Sequence, residues 1–241
     1  GRLNIAIVGI GTRFPGDMNT PDEMWQALLE GRDAITDLPE GRWSEFMDEP
    51  RLAERIARAR TRGGYIKDIK GFDAEFFALS KMEADNMDPQ QRMALELTWE
   101  ALEFARIPAS SLRGQSVGVF VGTSTNDYSM MAMMDPRTAH PYAITGTASS
   151  IIANRVSYFY DFRGPSMAVD TASRASRTSG LACGRRARAL STSAWRIVSI
   201  RSRRDTMVGI TSTSRKRVKN FRTSRSTSPS ASSPSRERSG S

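Results

Sequence analysis

Met87-Asp88-Pro89-Gln90-Gln91-Arg92-Met93-Ala94-Leu95-Glu96-Leu97-Thr98-Trp99-Glu100-Ala101-Leu102-Glu103 is the stretch on which the fold turns. Asp88 is a preferred N-cap residue, and Pro89 suits a first helical position whose N–H has no partner in any case. A helix is therefore expected from residue 89 to about Ala105. Its apolar residues Met93, Leu95, Leu97, Trp99 and Leu102 do not share one stripe. That distribution points to a helix buried between layers rather than lying on a surface.

Working outward, Val117–Val121 is a near-continuous β-branched and aromatic run that ends at Gly122, as in a central strand. Ser166–Val169 reads as a second buried strand beside it, and Ala148–Tyr160 as an apolar helix. Upstream, Leu3–Val8 reads as a strand closed by Gly9 and Gly11. Thr20-Pro21-Asp22-Glu23 is a capping box opening a helix that carries Met24, Trp25, Leu28 and Leu29 and stops at Gly31. Residues 32–64 read as charged surface with a short helix over 51–60. Strands alternating with helices give a layered α/β fold. Gly9-Ile10-Gly11 is not a dinucleotide fingerprint, since the third glycine and the immediate helix are missing.

The chain has 241 residues and a formal charge of +9, but the charge is unevenly placed. Residues 1–172 hold 18 Lys+Arg and 24 Asp+Glu, a net of −6; residues 173–241 hold 17 and 2, a net of +15. The basic character belongs to the tail, so it is no argument for nucleic-acid binding by the first part. One cysteine, Cys183, excludes an intrachain disulfide and fits a reducing cytoplasmic setting. No apolar run approaches the roughly 18–20 residues of a membrane span. The first residue is Gly1, so the sequence is expected to be an excerpt.

Five segments in register carry a family resemblance. They are Gly9-Ile10-Gly11-Thr12-Arg13-Phe14-Pro15-Gly16; Gly71-Phe72-Asp73-Ala74-Glu75-Phe76-Phe77; Met87–Arg92 with Trp99–Glu103; Gly118–Gly122; and Ala153-Asn154-Arg155-Val156-Ser157-Tyr158 with Gly164-Pro165-Ser166 and Val169-Asp170-Thr171-Ala172. Together they cover residues 3–172, which resemble the N-terminal part of a type I polyketide-synthase ketosynthase (β-ketoacyl synthase). The stretch is most similar to the mycolate-condensing mycobacterial branch of that family.

The resemblance implies a thiolase-like layered fold and a homodimer. It implies a decarboxylative Claisen condensation between acyl and malonyl-type thioesters carried on acyl carrier protein phosphopantetheine. It implies no metal and no bound cofactor. In the family a cysteine thiolate takes the acyl chain, and two later histidines assist decarboxylation and stabilise the oxyanion. The nucleophile sits where a strand gives way to a buried helix, whose positive end favours thiolate.

At that position this chain has Ser173, followed by Arg174-Ala175-Ser176-Arg177 in place of further serines and an apolar helix. A hydroxyl is far harder to ionise than a thiol, and the sequence offers no base to activate it. The only histidine, His140, lies upstream of Ser173 and reads as a loop or interface residue. Cys183 sits among arginines, ten residues late, as an incidental thiol. Met130, Met131, Met133 and Met134 are expected as core or interface filler, with an acyl-channel lining as the minority reading. Glu100 and Glu103 read as ordinary helix-surface charges rather than an acid/base pair.

Residues 173–241 contain 18 Ser and 15 Arg and keep no clear period, apart from a stretch around Trp195–Ile200. Disorder is the expectation for such a composition. Three readings stay open: a reading-frame shift near codon 173; a basic segment that binds nucleic acid or acidic lipid; and a non-catalytic scaffold. The two units are therefore a partial β-ketoacyl synthase domain over 1–172 and a Ser/Arg-rich tail over 173–241.

Overall fold

Asp88 starts the helix on which the layers are built. In the computed structural model its side chain accepts the Gln90 backbone N–H and Pro89 takes the first turn of α4 (Pro89–Phe104). Residues 6–44, 47–59, 61–123, 127–134, 141–169, 193–201 and 206–214 are the ones the structure describes. Met93, Ala94, Leu95, Leu97, Ala101 and Leu102 of α4 are buried, which fits a helix enclosed on several sides.

Strand β1 (Ala6–Arg13) lies across α4. It does not stop at Val8 but runs on through both glycines to Arg13. The reason is contact with the helix. A Cβ on Gly9 would fall on the Ala101 carbonyl oxygen, and one on Gly11 would come 2.8 Å from the Leu97 carbonyl oxygen. The glycines let one backbone rest on another and do not turn the chain. Arg13 at the end of β1 forks onto the Glu100 carboxylate of α4. Glu100 is thus a docking partner for β1, which corrects its reading as an ordinary surface charge, while Glu103 is exposed.

The first helix, α1 (Pro21–Glu30), follows the expected box. The Glu23 N–H donates to Thr20 Oγ1 at 3.2 Å, the Thr20 N–H donates to Glu23 Oε2 at 2.9 Å, and Gly31 ends the helix in the left-handed region at φ 65°. Only Ala27 of α1 is fully buried, and Trp25 and Leu29 face outward. Then come α2 (Pro50–Arg58) within the charged surface stretch and α3 (Lys81–Asp85), capped by Ser80. Strand β2 (Val117–Gly122) is followed by α5 (Asp127–Met134), α6 (Ala143–Thr147), α7 (Ser149–Tyr160) and β3 (Ser166–Val169).

Two further strands are β4 (Ser193–Arg201) and β5 (Thr206–Ser214). The sheet order is β1-β4-β5-β2-β3. The pairs β2–β3 and β2–β5 are parallel, whereas β4 is antiparallel to both β1 and β5. Strand β4 coincides with the one stretch of the tail that keeps a pattern. Strand β5 corrects the expectation of no regular structure there: Thr206–Ser214 owes its place to hydrogen bonding between two neighbours, which composition cannot register. The remainder of 170–241 lies outside the described residues.

Val117, Val119 and Val121 of β2 are at most 1% exposed, and they form one core with α4 and α7. An aromatic group extends that core: Phe76 meets Trp99 edge-on at 4.8 Å, and Phe159 meets Tyr160 edge-on at 4.8 Å. Strand β3 is the expected neighbour of β2 but not fully buried. Ser166 and Ala168 are half-buried beside α7, whereas Met167 and Val169 are 48% and 44% exposed. β3 has one sheet neighbour and helix cover on one face only among the described residues.

Candidate active site at the carboxyl ends of β2 and β3

In an open α/β sheet, ligands and reactive groups gather at the carboxyl ends of the parallel strands. Here the Thr123 N–H, just past β2, donates to the Val169 carbonyl at the end of β3 at 3.2 Å. Chain leaving β3 at this point leads through Asp170-Thr171-Ala172 to Ser173. Ser173 itself, with Asp170–Ala172, His140 and Cys183, lies outside the described residues.

Two buried glutamines fasten this sheet end to the start of α4. Asp88 accepts from Gln90 twice, the backbone N–H at 2.8 Å and Nε2 at 3.1 Å. Gln90 Oε1 accepts from Thr123 Oγ1 at 3.1 Å. The helix cap is thereby tied to the end of β2. The Asp88 N–H also donates to the Gly146 carbonyl at 2.8 Å. Gln91, fully buried, donates from Nε2 to the carbonyls of Thr145 at 2.9 Å and Gly146 at 3.0 Å. Those two carbonyls belong to α6, at the corner where the chain enters α7.

Arg155 of α7 closes the arrangement. Its Nε donates to Gln91 Oε1 at 2.8 Å, and its Nη1 reaches Glu83 of α3 at 2.6 Å. The pair is largely buried, with side chains 11% and 21% exposed. Every polar end of Gln91 is therefore matched, as a fully buried amide requires.

The electrostatics follow from burial. Asp88 is pushed up to about 6, chiefly by desolvation, with nearby Asp127 raising it further and the Gln90 hydrogen bonds pulling it down. Glu96, on the α4 side that meets Arg13, is also pushed up to about 6, again mainly by burial. Asp88 spends both oxygens on Gln90 and sits 4% exposed, so its geometry is that of a structural cap and not of a base open to substrate.

Sequence reading found Asp88 as a cap but missed Gln90, Gln91, Thr123, Glu83 and Arg155 as one network. The available signal was a pair of glutamines at the start of a helix that is otherwise apolar inside, since amides are seldom buried without a partner. Of the methionine group, Met130 is 66% exposed and Met131 is half-buried, so Met130 is not core filler. Among the described residues no group of His, Cys, Asp or Glu could hold a metal ion, and no helix is long and apolar enough to cross a membrane.

The sequence profile of the β-ketoacyl synthase N-terminal domain matches residues 3–194, running past residue 172 where the quoted motifs end. A phenolphthiocerol/phthiocerol polyketide synthase of Mycobacterium tuberculosis is 49% identical over 169 residues, covering 70% of this chain and 9% of that protein. The cluster 41 polyketide synthase of Aspergillus flavus is 44% identical over 169 residues, covering 70% of this chain and 15% of its own length. Among solved structures, the ketosynthase from module 6 of the bacillaene synthase of Bacillus subtilis matches with a TM-score of 0.56 at 32% identity, over 70% of this chain and 26% of that one. An oxazolomycin ketosynthase domain from Streptomyces albus matches with a TM-score of 0.58 at 33% identity, over 70% and 29%. The chain thus spans 9–15% of these curated relatives and little more than a quarter of the solved ketosynthases.

Proposed function

The chain belongs to the β-ketoacyl synthase family, as the N-terminal part of a polyketide-synthase ketosynthase domain, and on that premise we propose that it keeps the family's strand-end scaffold without its acyl-transfer chemistry. The reaction of the intact domain would be decarboxylative condensation of acyl and malonyl-type thioesters presented on acyl carrier protein. A homodimer and a cytoplasmic location belong to the same reading. The acyl class of the intact domain would be a long lipid chain: phthiocerol synthases of mycobacteria are among the relatives, and the motif resemblance to the mycolate-condensing branch points the same way.

One observation carries the proposal. The ends of β2 and β3 are joined at Thr123 and Val169 and bolted to α4, so the site is built up to the strand that leads to the nucleophile, and there the sequence supplies Ser173. A serine needs a base, and the one histidine in these 241 residues is His140, upstream of it. Arg174 and Arg177 stand where an apolar helix would otherwise polarise the position.

Incubation of the purified chain with an acyl thioester, followed by peptide mass spectrometry, tests this reading. No acyl adduct is expected on Ser173. A stoichiometric ester at that residue would show that the position is activated and would overturn the proposal.

A further inference from the structure

At the far end of α4 from the strand-end site lies a cavity of about 600 Å³. The two places are a helix length apart, about 24 Å for 16 residues. The cavity is lined by Trp99, Leu102, Ile107, Phe159 and Tyr160. The edge-on ring contacts described above fix Trp99 against Phe76 and Phe159 against Tyr160, and the Tyr160 hydroxyl donates to the Leu95 carbonyl at 2.9 Å. The phenol is therefore spent inside the core, and its ring presents an apolar face. Volume and lining are those of a small-molecule pocket, largely apolar with few polar groups.

The charged groups are two guanidinium side chains, Arg106 and Arg113, with Glu103 beside them, and Ser110 adds one neutral hydroxyl. Among the described residues neither arginine forms an ion pair. Glu103 is likewise unpaired, so the rim carries a net charge of one positive unit. The second observation concerns the backbone. Arg106 follows the last turn of α4 at φ +55°, in the left-handed region where glycine is the usual residue. The Ile107 N–H donates to the Leu102 carbonyl at 2.9 Å and closes the helix end, and this turn sets Arg106 at the pocket rim.

We propose that this cavity binds a single-chain amphiphile with an anionic head, of the long-chain carboxylate class. The apolar body lies against Trp99, Ile107 and Phe159, and the head is held by the Arg106 and Arg113 guanidinium groups. Charge complementarity selects the head, because guanidinium matches carboxylate geometry with paired N–H donors. The apolar walls select the body.

The test uses the full chain with dodecanoate and dodecanol below their aggregation limits, followed by calorimetry. One saturable dodecanoate site is expected. Arg106→Gly combined with Arg113→Ala should weaken dodecanoate at least tenfold and leave dodecanol within twofold. Arg106→Gly alone should keep or raise the melting temperature, since glycine suits the left-handed position, so weaker binding in it is not loss of fold. The double variant retains 33 of the 35 Lys+Arg residues, so adsorption of the anion to the basic tail would survive it. Unchanged dodecanoate binding in the double variant overturns the proposal, as does equal loss of both probes or no saturable site in the parent chain.

Discussion

Arg155 donates from Nε to Oε1 of Gln91 at 2.8 Å, across 64 residues of sequence. The bond orients the Gln91 amide so that Nε2 faces the carbonyls of Thr145 and Gly146. Reversing the amide would set Nε2 against the guanidinium and Oε1 against two carbonyls. Glu83 in turn holds Arg155 by its Nη1 at 2.6 Å. A salt bridge on α3 thereby fixes the corner between α6 and α7, next to the carboxyl end of β2.

Replacing Gln91 by Met should therefore cost about 2–4 kcal/mol of stability, since it takes the side-chain partner from the Thr145 carbonyl and from the buried Arg155 Nε–H, and leaves the Gly146 carbonyl with the Asp88 N–H alone. Glu83→Gln should cost less, about 1 kcal/mol, because Arg155 keeps Gln91 and a neutral acceptor. Urea denaturation of the two variants checks the order. Equal costs would mean that the amide does not organise the corner.

Asp88 gives the chain a pH dependence of unusual sign. Its folded value of about 6 lies above the ordinary 3.8. Between those values the folded state holds a proton that the unfolded chain has released, so stability falls as pH rises through the window. The full effect is roughly 2–3 kcal/mol, lost by about pH 7. Glu96, raised from 4.5 to about 6, acts in the same direction but is only partly buried. Asp88→Asn removes the Asp88 part and keeps a capping side chain, with the Gln90 amide turning over to serve Thr123. The stability of Asp88→Asn relative to the parent should improve from pH 4 to pH 7 by that amount. A constant difference across the range would contradict burial as the cause.

Gly146 is the one corner position with no room for a side chain. A Cβ there would fall on the Asn86 carbonyl oxygen. Because Gly146 also accepts from the Asp88 N–H and from Gln91 Nε2, a shift to relieve the clash would break both bonds. Gly146→Ala is expected to lose at least about 2 kcal/mol. Thermal unfolding within a degree of the parent would show that the α6–α7 corner is softer than its hydrogen bonds imply.

The elements legible in the sequence are those with local causes. Thr20 and Glu23 form a box within four residues, Asp88 and Pro89 begin α4, and the Val117–Val121 run is a strand wherever it is placed. What stayed hidden has distant partners. Gln90 meets Thr123 at a separation of 33, and Gln91 meets Thr145 and Gly146 at 54 and 55. Gly9 and Gly11 looked like a turn because their reason, the α4 backbone, lies about 90 residues downstream. Strand β5 was hidden for the same cause: its two neighbours are 89 residues upstream for β2 and one hairpin away for β4.

Ser173→Cys tests how much of the lost chemistry one atom can return. Cysteine restores a nucleophile that ionises far more readily than serine. It does not restore an apolar helix after residue 173, where Arg174 and Arg177 remain, and it adds no histidine to His140. A missing oxyanion donor of that kind is often worth about 3–4 kcal/mol, a factor of several hundred in rate. The Ser173→Cys chain, given an acyl donor and a malonyl-type extender on carrier protein, should therefore form no β-ketoacyl product above a no-enzyme control. Slow acylation at residue 173 without product would fit, because transfer to a thiol needs less help than carbanion formation. Product from the variant would mean that residues beyond Ala172 supply the missing donors, and the serine alone would then be the lesion.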